Sequence, residues 1–300
     1  MVLPPRPPYD PELKTVMDQA FADGMPLHFS ADDLPSMREG ASSIVSAEPV
    51  LALSSGGTHE ECTIPGPNGD IPVSILRPSS FDPTKQHPAI LFYHPGGMII
   101  GNRFTGLTAF APYLDSCNAI IISPEYRLAP EHPSPIPFED AYTTLKWTGE
   151  NFKKLCIDPA RFILAGTSGG GAICAGVALL ARERGGPKVC GQLLVAPMLD
   201  DRNESVSARS GTNDVKPFEA PGRATDLSGL PSAYLEVGSA EVCRDEVVAY
   251  ASKLWECGVQ AELHVWRGGW HNFAAHAPDA EISKKALRIR HQWVESLLKV

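Results

Sequence analysis

The sequence predicts an α/β protein, with one mostly parallel, doubly wound sheet and helices on both faces. Three observations predict it. Short, continuous apolar runs recur along the chain, as strands buried on both faces of a parallel sheet require. Segments of helical length lie between the later runs, giving the strand–helix alternation of a doubly wound sheet. A Gly166-Thr167-Ser168-Gly169-Gly170 turn joins one such run directly to a stretch of small residues with helical character.

The elements follow in order. The start is proline-rich (Pro4, Pro5, Pro7, Pro8) and reads as an extended arm, with no apolar core of a secretion signal. Residues 9–21 and 31–39 mix acidic and apolar positions with helical spacing. The segment 71–76 alternates as a strand. The runs 89–93, 119–123, 162–165 and 192–196 are continuously apolar, and 233–237 and 261–266 complete the set. Helices are expected over 138–151, 170–183, 244–256 and 282–298. This divides the chain into N-terminal arm and cap helices over residues 1–45 and a catalytic domain over 46–300.

Composition narrows the function. A 300-residue chain that is 43% hydrophobic buries a large single core. A net charge of −9 without any basic block excludes nucleic acid as a partner. No apolar run reaches the ~18 residues that cross a bilayer. The seven cysteines are odd in number, scattered and without a Cys-x-x-Cys pair, which fits a reducing, cytoplasmic location. Cys174 reads as a small core residue, and Asn203-Glu204-Ser205 is only a formal glycosylation sequon.

In an open α/β sheet the chemistry collects at the carboxyl ends of the strands. Strand, Gly-x-Ser-x-Gly, helix is the context of a nucleophile elbow, in which glycines make room for a tight turn that exposes the serine hydroxyl. Serine is a weak nucleophile at neutral pH. It needs a base, usually histidine, and a carboxylate that fixes the histidine tautomer. His264 lies inside a strand and His291 inside the last helix. His271 instead follows the last strand, in Gly268-Gly269-Trp270-His271-Asn272-Phe273, where glycines let the loop fold back; His276 is the reserve. Glu241 is the first carboxylate after the run 233–237, with Asp245 as the alternative acid. The chain order Ser168, Glu241, His271 is that of a serine hydrolase built on an α/β sheet. After the run 89–93, His94-Pro95-Gly96-Gly97 offers unobstructed N–H groups on Gly96 and Gly97, and Gly169 offers a third, enough for an oxyanion hole.

These motifs carry a family resemblance. His94-Pro95-Gly96-Gly97, Glu125-Tyr126-Arg127-Leu128-Ala129-Pro130-Glu131, the elbow, and residues 238–246 with His271-Asn272-Phe273 together resemble the hormone-sensitive-lipase-like branch of the α/β-hydrolases. The likeness runs from about residue 60 to the C-terminus, and Thr167 with Glu241 resembles a subgroup with threonine before the nucleophile. The resemblance implies an α/β-hydrolase fold and a carboxylic ester hydrolase acting on short- to medium-chain acyl esters. It implies no cofactor and no metal, a small-molecule ester as substrate, and a homodimer in some members. It also implies that Tyr126 and Arg127 support the loop near the site.

Two departures stand out. Pro95 replaces a glycine of the family's His-Gly-Gly-Gly; the resemblance places the donors on the last two glycines, so Pro95 is expected to stiffen the loop and remove no donor. The cap segment, about 201–225, is shorter than in the family and leaves the roof of the pocket reduced. An acyltransferase or lyase on the same scaffold, or a non-catalytic small-molecule receptor, are the alternative functions. Trp266, Trp270, Phe218 and Phe29 are candidates for the pocket wall and equally for ordinary core.

Overall fold

The chain's computed structural model describes residues 6–24, 30–41, 46–202 and 215–299. The helices are α1 (Pro11–Ala22), α2 (Leu34–Ala41), α3 (Glu48–Ala52), α4 (Pro112–Ser116), α5 (Ile136–Glu150), α6 (Phe152–Leu155), α7 (Gly169–Arg184), α8 (Arg244–Glu256), α9 (Phe273–His276) and α10 (Glu281–Leu298). The strands are β1 (Gly57–Ile64), β2 (Ile71–Pro78), β3 (His87–Tyr93), β4 (Ile120–Pro124), β5 (Ile157–Thr167), β6 (Gly191–Val195), β7 (Ser232–Gly238) and β8 (Ala261–Trp266). They form one eight-stranded sheet in the order β1-β2-β4-β3-β5-β6-β7-β8. β2 is antiparallel to both neighbours, and every pairing from β4 to β8 is parallel.

The apolar runs explain the layering. Successive strand residues point to opposite faces, so Leu91, Tyr93, Ile122, Phe162 and Leu164 join the core beneath α5, α7 and α8. Ile90, Phe92, Ile121, Ile163 and Ala165 join the core beneath α4 and α10. Both faces are covered, and β3, β4 and β6 are buried along their whole length. At the outer edge β8 is only half-buried.

Helix ends obey local chemistry. The helix expected from residue 9 begins at Pro11, because Asp10 turns its carboxylate onto the free N–H groups of Glu12 (3.0 Å) and Leu13 (3.4 Å). The helix expected over 31–39 splits into a 3₁₀ turn, Ala31–Asp33, and α2. The other expected strands and long helices form within a few residues of their predicted bounds. β1 and the short helices α3, α4, α6 and α9 carry no prediction. Because β3, β5, β7 and β8 run in parallel, the residues that follow them meet at one end of the sheet, beyond the strands' carboxyl ends. Phe29, the Asn203 sequon and residues 203–214 of the expected cap segment lie outside the described residues.

Candidate active site

The turn after β5 is built on close backbone approach. A Cβ on Gly166 would lie 2.0 Å from the Gly170 oxygen, and one on Gly170 would lie 2.1 Å from the Tyr93 oxygen. No side chain fits at either position. Between them Ser168 takes φ 56° and ψ −119°, a left-handed conformation costing a non-glycine residue about 1–3 kcal/mol. The surrounding bonds enforce it. The Ser168 N–H donates to the Val195 oxygen (2.8 Å), while its carbonyl accepts from Gly171 (2.9 Å) and Met198 (3.2 Å). The side chain thus stands at the start of α7, where the helix dipole favours negative charge.

The structure brings the other two side chains to it. His271 Nε2 is 2.8 Å from Ser168 Oγ. His271 Nδ1 is 3.5 Å from Glu241 Oε1, the outer limit of hydrogen-bond reach. The Glu241 side chain is 1% exposed, and its Oε2 has no hydrogen-bond partner among the described residues. The two loops that carry this pair are tied together. Ala240 N donates to Gly269 O (3.0 Å), Ser239 N to Trp266 O (2.8 Å) and Gly268 N to Ser239 Oγ (2.8 Å). The backbones pack so closely that a Cβ on Gly238 would lie 2.2 Å from Gly269 O. Asn272 is left-handed at φ 58° and starts α9, which reverses the chain just beyond His271.

The glycine loop after β3 faces the elbow. A Cβ on Gly169 would lie 2.9 Å from both Cα and N of Gly97 and 3.0 Å from Met98 N. The backbone of Gly97 and Met98 therefore packs against Gly169 beside Ser168. Gly96, at φ 127°, closes a tight turn whose carbonyl accepts from Ile99 and Ile100, both at 3.0 Å. Tyr126 supports the loop from below. Its ring stacks on His94 at 4.1 Å and its hydroxyl donates to the His94 oxygen at 2.7 Å. Burial pushes His94 down to about 4, against the opposing pull of its bond to Pro95 O. The ring is thus neutral near pH 7, and Nδ1 donates to Pro95 O at 2.8 Å. Arg127 anchors the segment to α5 by a fork onto the fully buried Asp140, with its backbone N and Nε both bonded to Oδ2 (3.1 and 2.7 Å).

The alternatives fall elsewhere. Asp245 accepts from Arg244 Nε at 2.7 Å. His276 stacks on Trp270, and burial and then the nearby His271 lower its basicity. Trp266 is core: it packs with Leu13 and Phe273 and donates to Glu236 at 3.2 Å. Phe218 is buried edge-on to Phe138, and Trp270 is half-buried against the Leu13 cluster.

Glu246 has a supporting role that sequence reasoning missed. Its Oε1 accepts from Leu199 N at 2.7 Å, fixing the loop after β6. Burial pushes it up to about 7, although the Leu199 and Asp200 N–H groups pull the other way. Glu241, Cys243 and His271 also place three metal-type ligand atoms within 4.8 Å of one another. Burial, then the Glu246 and Glu241 carboxylates, hold the Cys243 thiol far above its usual range.

Residues 90–218 and 209–275 match the family described as having the alpha/beta hydrolase fold, and the chain belongs to that family. Two curated relatives come from Mycobacterium tuberculosis. Esterase LipI is 30% identical over 298 residues, covering 91% of this chain and 90% of the relative. Carboxylesterase NlhH is 33% identical over 306 residues, covering 92% of each. Among solved structures, a bacterial heroin esterase superposes with a TM-score of 0.86 at 30% identity, over 97% of this chain and 98% of its own.

Proposed function

We propose that the protein is a serine carboxylic ester hydrolase working through an acyl-enzyme. The observation that carries this reading is the 2.8 Å contact between Ser168 Oγ and His271 Nε2, with buried Glu241 behind the imidazole. His271 takes the hydroxyl proton as Oγ attacks the ester carbonyl. Glu241 steers the ring and stabilises the imidazolium, and their 3.5 Å contact shortens as that charge forms. The tetrahedral oxyanion sits against the N–H groups of Gly96, Gly97 and Gly169. His271 then protonates the departing alcohol, and a water repeats the cycle to free the acid.

Relatives named as esterases and carboxylesterases support the reaction class. The motif resemblance supports short- to medium-chain acyl esters and the subgroup marked by Thr167. The complete Ser-His-Glu set favours hydrolysis over a receptor role. Seven free thiols fit a reducing cytoplasm. Residues 1–45 serve as an arm and cap over the catalytic domain, consistent with α1 and α2 docking on its loops. The test is Ser168→Ala assayed on p-nitrophenyl acetate and butyrate. Turnover falls by about 10³-fold or more with the fold intact; retained turnover rejects the assignment.

A further inference from the structure

We propose that Arg38, on α2, is a positioning residue for the oxyanion hole. The proposal rests on the esterase reading and goes beyond it, because Arg38 belongs to none of the motifs that carry the family resemblance.

The guanidinium makes contacts in three directions. Nε donates to Ile99 O at 2.8 Å and Nη2 to Ala129 O at 2.8 Å. Nη1 and Nη2 also form a two-pronged fork onto the Glu131 carboxylate, at 2.7 and 2.8 Å. Ile99 closes the Gly96 turn, since its N–H donates to Gly96 O at 3.0 Å. Ala129 is joined to the same loop from the other side, by a 2.8 Å bond from its N–H to Met98 O. One planar fork therefore ties the far end of the donor loop to the 125–131 segment. Tyr126 holds the near end of that loop through His94. The loop is fixed at both ends, with Gly97 between them.

The geometry explains why a fastener is needed. Gly96, Gly97 and Met98 all have positive φ, at 127°, 60° and 63°. The two glycines take positive φ freely, so nothing in their own backbone holds the loop in one shape, while Met98 keeps this conformation only because its surroundings impose it. Arginine suits the task because five donors in a rigid plane can serve two carbonyls and a carboxylate together, whereas lysine is a point charge on a flexible stem. Glu131 orients the guanidinium and is exposed. The bonds that reach the loop are those to the two carbonyls.

The loop carries donors that matter most when the carbonyl oxygen becomes negative, so loss of Arg38 lowers kcat far more than it raises KM. Arg38→Ala is expected to lose about 10-fold to 100-fold in kcat on p-nitrophenyl acetate, less than the full loss of a donor, with KM changed by no more than about threefold. Binding of an aryl trifluoromethyl ketone, which forms an oxyanion on the serine, weakens by the same factor as kcat/KM. Added methylguanidinium recovers part of kcat in Arg38→Ala. Arg38→Lys stays well below the parent. Thermal unfolding of each variant is measured alongside, and Arg38→Lys supplies the reading if Arg38→Ala does not fold. If Arg38→Ala, or failing that Arg38→Lys, retains kcat and ketone affinity within twofold while Ser168→Ala is inactive, the proposal is wrong and the esterase reading stands. If Ser168→Ala is itself active, the underlying reading has failed instead.

Discussion

Gly169→Ala isolates the packing between the elbow and the glycine loop. Gly169 opens α7 and has an ordinary helical backbone, so alanine meets no conformational barrier there. The new methyl would stand 2.9 Å from Gly97 Cα and N and 3.0 Å from Met98 N. Comfortable carbon contacts are about 3.5–4.0 Å, so the loop must retreat by roughly half an ångström or more. The atoms in the way are backbone and have no rotamer through which to escape. Overpacking of this kind costs about 1–3 kcal/mol, and the helical preference of alanine over glycine returns about 0.5–1 kcal/mol. The variant therefore folds, with a modest loss of stability. On the proposed mechanism catalysis suffers more, because the retreat carries Gly97 N away from the oxyanion, and removal of one such donor costs about 10²–10³ in kcat. The assay is kcat and KM on p-nitrophenyl acetate, with thermal unfolding measured in parallel. Gly40→Ala, where the methyl meets open space, is the control and keeps parental activity. A folded Gly169→Ala enzyme retaining more than a third of parental kcat would refute this account of the loop.

Two further predictions follow from the same geometry. Glu241→Gln preserves shape but loses the charge that steers His271, so kcat should fall by about 10³–10⁴ with little change in unfolding temperature; a loss under tenfold would move the acid's role elsewhere. Glu246 titrates near 7 in the folded chain against 4.5 for an ordinary glutamate. A raised carboxyl pKa means its stabilising contribution is complete below about 4.5 and is lost as pH rises through about 7. Glu246→Gln removes that loss and keeps an acceptor for Leu199, so the variant gains on the parent between pH 5 and pH 8, by up to about 3 kcal/mol. A stability difference that does not change with pH would contradict this.

The site's parts were readable because each lies just after a strand and depends on short-range chemistry. A glycine pair beside a serine, a histidine in a glycine-rich loop, and a His-Pro-Gly-Gly turn announce themselves within five residues. The remainder depends on contacts across the fold. Arg38 meets partners 61, 91 and 93 residues away, a distance that local patterning does not cover. Asp245 and Glu246 are adjacent carboxylates, yet one pairs with Arg244 and the other is buried beneath Leu199. β1 escaped prediction because its centre is His59-Glu60-Glu61 and most of the strand is partly or fully exposed, with only Ile64 buried. Its place is fixed by eight backbone partners on β2. Trp266 is a case where the sequence left two readings open, pocket wall or core. A large aromatic near the His271 loop suggests a pocket wall, but it packs into the core against Leu13 of α1.

Covalent labelling tests the central claim most directly. The purified protein is treated with a fluorophosphonate, digested, and the adduct located by mass spectrometry while residual esterase activity is followed. The account predicts one adduct per chain, on Ser168, formed in step with the loss of activity and abolished by His271→Ala. Activity lost with the adduct on another residue, or full activity with Ser168 wholly modified, would contradict it.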